Sequence, residues 1–210
     1  MSEILSPDGL GLWRDLRLPS RAGAPRPALF LDRDGTVIEH VHYLADAADV
    51  RLEPGAAASI RAARKAGWAV VIVTNQSGVA RGYFGWDAVE AVQERMYALL
   101  AAEGAAVDAA YACGHAPPDA GGPRSSRWRK PAPGMFLSAR DDLALDLAAS
   151  WVAGDGAHDL AAGRAAGLRG GTLVPTGYGA RGDEQRKASA LAAAGFEVRI
   201  GGPVWPGPAE

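Results

Sequence analysis

Short apolar runs alternate with helical patterns along most of this chain, and this alternation limits the folds that it can adopt. Ala28–Leu31 and residues 68–73 are apolar runs of strand length. In residues 86–103, apolar side chains recur three and four positions apart, which is the spacing of an amphipathic helix. The alternation predicts an α/β fold, Rossmann-like, in which a mostly parallel sheet carries helices on both faces.

The predicted elements lie within residues 28–201, which we expect to form a single domain. We predict strands at residues 28–31, 68–73, 107–112, 150–153, 171–174 and 196–200, and helices at residues 55–66, 86–103, 134–145, 157–166 and 184–194. Residues 1–27 are rich in glycine, proline and arginine and are predicted to be an irregular lead-in. Residues 202–210 contain three prolines and are predicted to be a C-terminal tail.

Composition narrows the classes of partner. Of 210 residues, 22 are Lys or Arg and 24 are Asp or Glu, so the net charge of −2 gives no reason to expect a nucleic-acid or anionic membrane partner. No apolar run approaches the ~18 residues of a membrane-spanning helix. The single cysteine, Cys113, has no partner for an intramolecular disulfide. Residues 1–20 lack the apolar stretch of a secretory signal, and we expect a cytoplasmic monomer.

Two carboxylates follow the first predicted strand. Asp32 and Asp34 are two positions apart, so an extended chain would place both side chains on one side. Gly35 then allows a sharp turn. Crowded carboxylates repel each other unless a cation or a proton compensates. The segment is therefore either an ordinary Asp–Gly turn or a nucleophile with an acid/base at a strand end.

Polar residues also follow two later strands. Thr74 and Asn75 end the second strand, where they can donate hydrogen bonds to a phosphate oxygen or simply cap a loop. Asp155 follows the strand at residues 150–153, and Asp159 comes four positions later. This pair suits either a hard cation or the start of a helix.

The order of these residues is more specific than any one of them. The chain carries Asp-x-Asp-Gly-Thr, then Thr-Asn, then the basic pair Arg129 and Lys130 before Pro131, then Gly-Asp-x-x-x-Asp. This order resembles the four motifs of the haloacid dehalogenase-like phosphatases. Residues 31–36, 73–82 and 129–135 resemble more closely the D-glycero-D-manno-heptose 1,7-bisphosphate 7-phosphatases, whose close relatives are the histidinol-phosphate phosphatases.

The resemblance implies a reaction at Asp32. Asp32 would attack phosphorus to form an aspartyl-phosphate, and Asp34 would protonate the leaving oxygen and then activate water. Mg²⁺ would be held by the Asp32 carboxylate, the Asp34 backbone carbonyl and Asp155. Asp159 would support Asp155 or Lys130 from behind.

The resemblance also implies how a small phosphorylated metabolite would bind. Thr74, the Asn75 backbone and Lys130 would hold the oxygens of the transferring phosphoryl group and offset its charge. Arg129 would reach the rest of the substrate. The expected activity is therefore a magnesium-dependent phosphomonoester hydrolase.

The spacing of the motifs predicts an enzyme without a cap domain. Neither the segment from Asp32 to Thr74 nor the segment from Cys113 to Lys130 is long enough to hold a cap of about 50 or more residues. The site should therefore be open, with specificity set by its surrounding loops. The candidate loops are residues 40–43, 76–83 and 114–129.

The chain departs from the pattern of its relatives at a structural zinc site. Those relatives hold zinc with a Cys-x-His and a later Cys-x-Cys. Cys113 and His115 match the first pair, but Ser126 and Trp128 occupy the positions of the second. Because two ligands cannot complete a tetrahedral zinc site, we expect no zinc here.

Three functions stay open at the level of sequence. The first is hydrolysis of the C7 phosphate of a heptose bisphosphate. The second is hydrolysis of histidinol phosphate or another small sugar phosphate. Many relatives carry a lysine after the last-motif aspartate, whereas this chain has Gly156 and so lacks one positive charge. The third is a non-catalytic binding protein on the same fold, against which the complete set of motif residues argues.

Overall fold

A computed structural model gives the fold with its side chains and describes residues 2–18, 24–123, 125–205 and 207. The described strands are β1 (Ser2–Ile4), β2 (Trp13–Leu16), β3 (Ala28–Leu31), β4 (Ala69–Asn75), β5 (Ala109–Cys113), β6 (Trp151–Gly154), β7 (Gly170–Leu173) and β8 (Glu197–Ile200). The described α-helices are α1 (Ala56–Lys65), α2 (Trp86–Ala102), α3 (Gly134–Leu143), α4 (Ala157–Ala166) and α5 (Gly182–Ser189).

All eight strands form one sheet in the order β1-β2-β5-β4-β3-β6-β7-β8. Six neighbouring strands of this sheet run parallel, namely β5, β4, β3, β6, β7 and β8. Alternate residues of β3 face opposite sides of the sheet. Phe30 packs with Phe136 of α3 and Leu160 of α4, whereas Leu31 shares the other core with Ile60 of α1. Helices therefore cover both faces, and the predicted fold is confirmed.

The strand order determines where the motifs meet. β3 lies between β4 and β6, so the three segments that follow these strands begin side by side at one edge of the sheet. The pairing extends by one residue at this edge, because the Asp32 amide donates to the Ala153 carbonyl over 2.9 Å. Parallel sheets of this kind bind ligands at the carboxyl ends of their strands.

The N-terminal segment corrects one prediction. The sequence predicts an irregular lead-in for residues 1–27, but β1 and β2 form an antiparallel hairpin, and β2 pairs antiparallel with β5. Trp13 of β2 is 2% exposed and stacks on Trp86 of α2 with 6.4 Å between ring centroids. Two of the isolated apolar residues of this segment, Leu12 and Trp13, are therefore core residues. In sequence, the strand is too short and too charged to show alternation.

Two predicted helices end earlier than their sequence patterns suggest. α3 ends at Leu143 because Ala144 adopts a left-handed conformation, with φ of 52°. α5 ends at Ser189, whereas its apolar pattern continues to residue 194. Residues 193–196 form a tight turn instead. Ala193 and Phe196 pair in this turn, and Gly195 between them has φ of 84°.

The described residues include no cap domain. The segment between β3 and α1 holds only a 3₁₀ turn, Ala47–Asp49, and the described part between β5 and α3 holds only the turn Pro118–Ala120. None of the described helices is both long enough and apolar enough to cross a membrane.

Candidate active site

One cavity of about 220 Å³ opens where β3, β4 and β6 end. Six of the residues predicted from sequence line it together, namely Asp32, Asp34, Thr74, Asn75, Arg129 and Asp155. The other two, Lys130 and Asp159, are buried beneath Asp32. The structure therefore brings all eight predicted residues to one place.

The ammonium of Lys130 organises the floor of the site. It lies 2.9 Å from Asp32 Oδ1 and 2.5 Å from Asp159 Oδ1, and it donates to the Val73 carbonyl over 2.7 Å. Its side chain has no exposed surface. Burial by itself lowers the pKa of Lys130, but the charges of Asp159 and Asp32 outweigh burial and leave this pKa above its usual value. Lys130 is therefore a fixed positive charge.

Asn75 holds the backbone of the same lysine. Its side-chain amide donates to the Lys130 carbonyl, and its side-chain oxygen accepts from the Lys130 amide, both over 3.1 Å. This reciprocal pair joins the end of β4 to the loop before α3. Because the Asn75 side chain is used in this way, only its backbone remains for a ligand.

Two side chains that sequence reasoning did not assign orient Asp34. Arg33 is buried, and its guanidinium contacts the Asp34 carboxylate at 3.0–3.2 Å. Gln76 donates from Nε2 to Asp34 Oδ2 and to Thr74 Oγ1, both over 2.8 Å. The position of Gln76, directly after Thr-Asn at a strand end, is the only sequence signal for its role.

Asp155 fits between two glycines. A Cβ atom at Gly35 or at Gly177 would lie 2.4 Å or 2.1 Å from Asp155 Oδ2, and both glycines have positive φ. The same oxygen accepts from the Tyr178 amide over 2.9 Å. Gly35 therefore does more than allow the turn that the sequence predicts, because it also makes room for a carboxylate from another strand.

The carboxylates of the site are crowded. Burial raises the pKa of Asp32 to about 6, although Lys130 opposes the rise. Burial, followed by the charge of Asp32, raises the pKa of Asp155 to about 8. Two buried carboxylates that repel each other offer hard oxygen ligands, and a divalent cation between them would relieve the repulsion. The residues present therefore fit a hard divalent cation.

Asp159 does not fit the same role. A ring nitrogen of His158 and one oxygen each of Asp32 and Asp159 lie within 4.8 Å of one another, which is close enough to share an ion. However, one oxygen of Asp159 is paired with Lys130, and the other accepts from the Gly156 amide over 3.0 Å. Both oxygens of Asp159 are therefore already paired within the protein.

His158 is a further residue of the cavity wall that the sequence reasoning missed. Its imidazole fills the space beside Gly156, where a Cβ atom would lie 2.3 Å from His158 Cε1. The His158 imidazole therefore occupies the space that a side chain at position 156 would need.

Three of the positions that the resemblance relates to a zinc site, Cys113, His115 and Ser126, are joined here by hydrogen bonds. His115 Nδ1 lies 2.8 Å from Ser126 Oγ, and Cys113 Sγ lies 3.8 Å from the same oxygen. Burial raises the pKa of the Cys113 thiol, which disfavours the thiolate that a metal would require. Trp128, at the other substituted position, packs against the core.

The predicted specificity loops contribute unequally to the cavity. Residues 40–44 and 76–78 line it, together with Phe84 and Tyr178. Among the described residues of the loop at 114–129, only Arg129 lines it, and Arg129 Nη1 donates to the His115 carbonyl over 2.9 Å. A second cavity of about 450 Å³, lined by Pro117, Pro118 and Arg129 among others, adjoins this side.

Comparisons with known proteins were made against families and curated sequences. A family model described as HAD-hydrolase-like, for haloacid dehalogenase, matches residues 127–195. A protein of Mesorhizobium japonicum named D-glycero-beta-D-manno-heptose-1,7-bisphosphate 7-phosphatase is 47% identical over 169 residues, which cover 78% of this chain and 76% of the relative. A protein of the same name from Escherichia coli K12 is 41% identical over 155 residues and covers 72% and 80%.

A solved structure shows the same architecture. It is D,D-heptose 1,7-bisphosphate phosphatase from B. bronchiseptica, complexed with magnesium and phosphate. The similarity has a TM-score of 0.68 at 34% sequence identity and covers 82% of this chain and 91% of that one.

The raised pKa values predict how stability depends on pH when no divalent cation is present. Asp32 and Asp155 bind protons more tightly in the folded chain, with pKa values of about 6 and about 8, than in the unfolded chain at 3.8. Folding therefore takes up protons, and the free energy of unfolding should fall as pH rises from 4 to 8, by at most ~1.4 kcal/mol per pH unit and group.

Asp155→Asn should flatten this fall between pH 6 and pH 8, because Asp155 titrates at the top of the range. Urea unfolding in EDTA at several pH values measures the slope. Asp141→Asn removes an exposed carboxylate, 66% accessible, and serves as the control. Equal slopes for the Asp155→Asn variant and the wild type would contradict the proposed crowding.

Proposed function

Because this chain belongs to the haloacid dehalogenase-like hydrolases, within the heptose bisphosphate 7-phosphatases, we propose that it removes the C7 phosphate of D-glycero-D-manno-heptose 1,7-bisphosphate. It is a phosphatase. The observation that carries the proposed phosphate hydrolysis is the Asp32 carboxylate, which lines an open cavity while a buried lysine holds it from behind. The named relatives supply the substrate class.

Asp32 acts as the nucleophile in this proposal. Its Oδ1 accepts from the Arg33 amide over 2.7 Å and lies 2.9 Å from Lys130 Nζ, so two donors orient the carboxylate. A carboxylate oxygen of Asp32 attacks phosphorus, the bond from phosphorus to the sugar oxygen breaks, and an aspartyl-phosphate forms. Water then attacks this phosphorus, inorganic phosphate leaves, and the Asp32 carboxylate is restored.

Asp34 moves the protons of both steps. It gives a proton to the departing sugar oxygen and then takes one from the attacking water. Arg33 and Gln76 hold its carboxylate in one orientation, towards the cavity shared with Asp32. Gln76 also donates to Thr74, so one side chain links the acid/base to the phosphate-binding hydroxyl.

Four groups hold the phosphate oxygens and the rest of the substrate. Lys130, Thr74 and the Asn75 backbone surround the end of β4 and stabilise charge on the transferring phosphoryl group. Arg129 lies between the two cavities and contacts the distal part of the substrate. Asp159 positions Lys130 through their ion pair.

The residues that would hold Mg²⁺ are Asp32, Asp155 and the backbone carbonyl of Asp34. When bound, the ion would neutralise the crowded carboxylates and polarise the phosphate. The glycines at positions 35 and 177 support this assignment, because they leave Asp155 directly against the turn that carries Asp34.

Two other functions remain as alternatives, and one observation bears on each. Hydrolysis of histidinol phosphate or another small sugar phosphate is favoured by Gly156, which supplies no cation. A non-catalytic binding role would need a defect in the motif residues, whereas all eight meet at one site.

The setting of the enzyme is also a proposal. We propose that residues 28–201 form the catalytic domain of a cytoplasmic monomer that acts on a free metabolite. The net charge of −2 and the single cysteine support this setting.

A substrate panel tests the function. Among phosphorylated metabolites, the heptose bisphosphate should give the highest kcat/KM for phosphate release, ahead of histidinol phosphate and hexose phosphates. Asp32→Asn should reduce turnover of every substrate to below about a tenth of wild type, because an amide is not a nucleophile for phosphorus. A clear preference for histidinol phosphate would support the first alternative, and retained turnover by Asp32→Asn would exclude covalent catalysis.

Metal removal gives a separate test. Activity should be lost in EDTA and return with Mg²⁺ alone, because Asp32 and Asp155 repel each other without a cation. Metal analysis of the purified protein should show no stoichiometric zinc. One tightly held equivalent of zinc would show that the loop at residues 114–129 recruits further ligands beside Cys113 and His115.

Neighbouring cations should affect different kinetic constants. Arg129→Ala should raise KM for the heptose bisphosphate by about tenfold to a hundredfold, the cost of one charge-assisted contact, but leave p-nitrophenyl phosphate nearly unchanged. Lys130→Ala should instead depress kcat for both esters, because the transferring phosphoryl group is common to them. Equal damage to both esters by Arg129→Ala would remove its role in specificity.

A further inference from the structure

We propose that Asp8, His115 and Ser126 form a metal-free clamp that fixes the loop at residues 114–129 and thereby positions Arg129 for the substrate. The part of the proposal that concerns specificity rests on the function proposed above. The three residues come from the N-terminal hairpin, from the end of β5 and from the loop itself. We call them the clamp.

The clamp is a continuous chain of hydrogen bonds centred on His115, which is 9% exposed. His115 Nε2 lies 2.7 Å from Asp8 Oδ2, and Nδ1 lies 2.8 Å from Ser126 Oγ. Since a carboxylate only accepts, Nε2 donates to Asp8. In the neutral imidazole, Nδ1 then accepts the Ser126 hydroxyl proton. Ser126 Oγ in turn accepts from the amides of Trp128 and Arg129, over 3.3 Å and 3.1 Å.

Asp8 is itself held in place by its own turn. Its Oδ1 accepts from the amides of Leu10 and Gly11, both over 3.0 Å. These backbone hydrogen bonds, together with His115, hold the pKa of Asp8 well below its usual value, so the carboxylate is ionised. Asp8 and His115 are 107 positions apart in the chain, so this contact exists only because the hairpin adds to the sheet.

A second set of contacts holds the hairpin turn against the same loop. The Gly114 amide donates to the Leu10 carbonyl over 2.8 Å. Gly11 approaches Trp128 so closely that an added Cβ would lie 2.9 Å from its ring. The turn therefore contacts both ends of the loop, at Gly114 and at Trp128.

The clamp acts on the substrate only through Arg129. The Arg129 amide donates to Ser126, and its guanidinium donates to the His115 carbonyl over 2.9 Å. Both of these hydrogen bonds are thus to members of the clamp. The described part of the loop otherwise contains one 3₁₀ turn, and long loops with so little regular structure require specific contacts to stay in one conformation. His115 and Asp8 are therefore positioning residues.

The experiment uses the full chain with His115→Ala, Asp8→Ala, Ser126→Ala and Ser126→Thr. Asp141→Asn, which removes an exposed carboxylate outside this loop, is the control. His115→Ala should raise KM for the heptose bisphosphate by about tenfold, as expected for loss of a contact to a charged group, with kcat and p-nitrophenyl phosphate turnover nearly unchanged. Ser126→Thr keeps the hydroxyl and should retain the wild-type KM, whereas Ser126→Ala should not.

A double-mutant cycle tests whether the effect passes through Arg129. In an Arg129→Ala background, adding His115→Ala should change KM by less than about twofold, because the side chain that it positions is gone. Additive increases in KM, or equal losses with p-nitrophenyl phosphate, would overturn the positioning role. Asp8→Ala changes a largely exposed side chain and provides the same test if His115→Ala fails to fold.

Hydrogen exchange separates the clamp from the substrate assignment. The Trp128 and Arg129 amides should exchange at least about tenfold faster in His115→Ala and Ser126→Ala than in wild type, and the Asp141→Asn control should leave them unchanged. Unchanged exchange in these variants would overturn the clamp. Faster exchange with no turnover of the heptose bisphosphate would keep the clamp and reject the proposed substrate, and the KM comparison would then use the best ester of the panel.

Discussion

A lysine ammonium without solvent contact holds the site together. Lys130 comes from a loop, and its partners come from three other segments: Asp32 after β3, the Val73 carbonyl within β4, and Asp159 in α4. Removing a charge from water costs several kcal/mol unless close opposite charges compensate, so the chain must bring these segments together around it. The arrangement that satisfies the buried charge also sets the position of the reactive carboxylate.

The balance of charge around Lys130 explains how the carboxylates differ. Burial raises the pKa of Asp159, but His158 and Lys130 outweigh burial and leave this pKa below its usual value. Asp155 lies further from the lysine, and its pKa is raised to about 8. One lysine cannot neutralise three buried carboxylates. The repulsion that Lys130 leaves uncompensated is between carboxylates that line the cavity. A divalent cation can bind there, beside the phosphate of the substrate.

Hydrogen bonds through His115 attach the loop at residues 114–129 to the rest of the protein. A long loop beside an active site needs a point of attachment to stay in one conformation. In this chain a hairpin from the N-terminus covers the edge of β5 and provides Asp8. The hairpin thus pairs with β5 and anchors the loop at the same time.

The α/β fold could be predicted from the sequence, because the periodicities of strands and helices involve only residues close together in the chain. The sequence also determined the site residues at the ends of β3, β4 and β6, because parallel strands end at a common edge. Three features are visible only in the tertiary structure. Residues 13–16 form a strand, Asp155 fits against Gly35 and Gly177, and Asp8 pairs with His115. Each of these depends on residues far apart in the chain, and neither periodicity nor spacing carries information about such contacts.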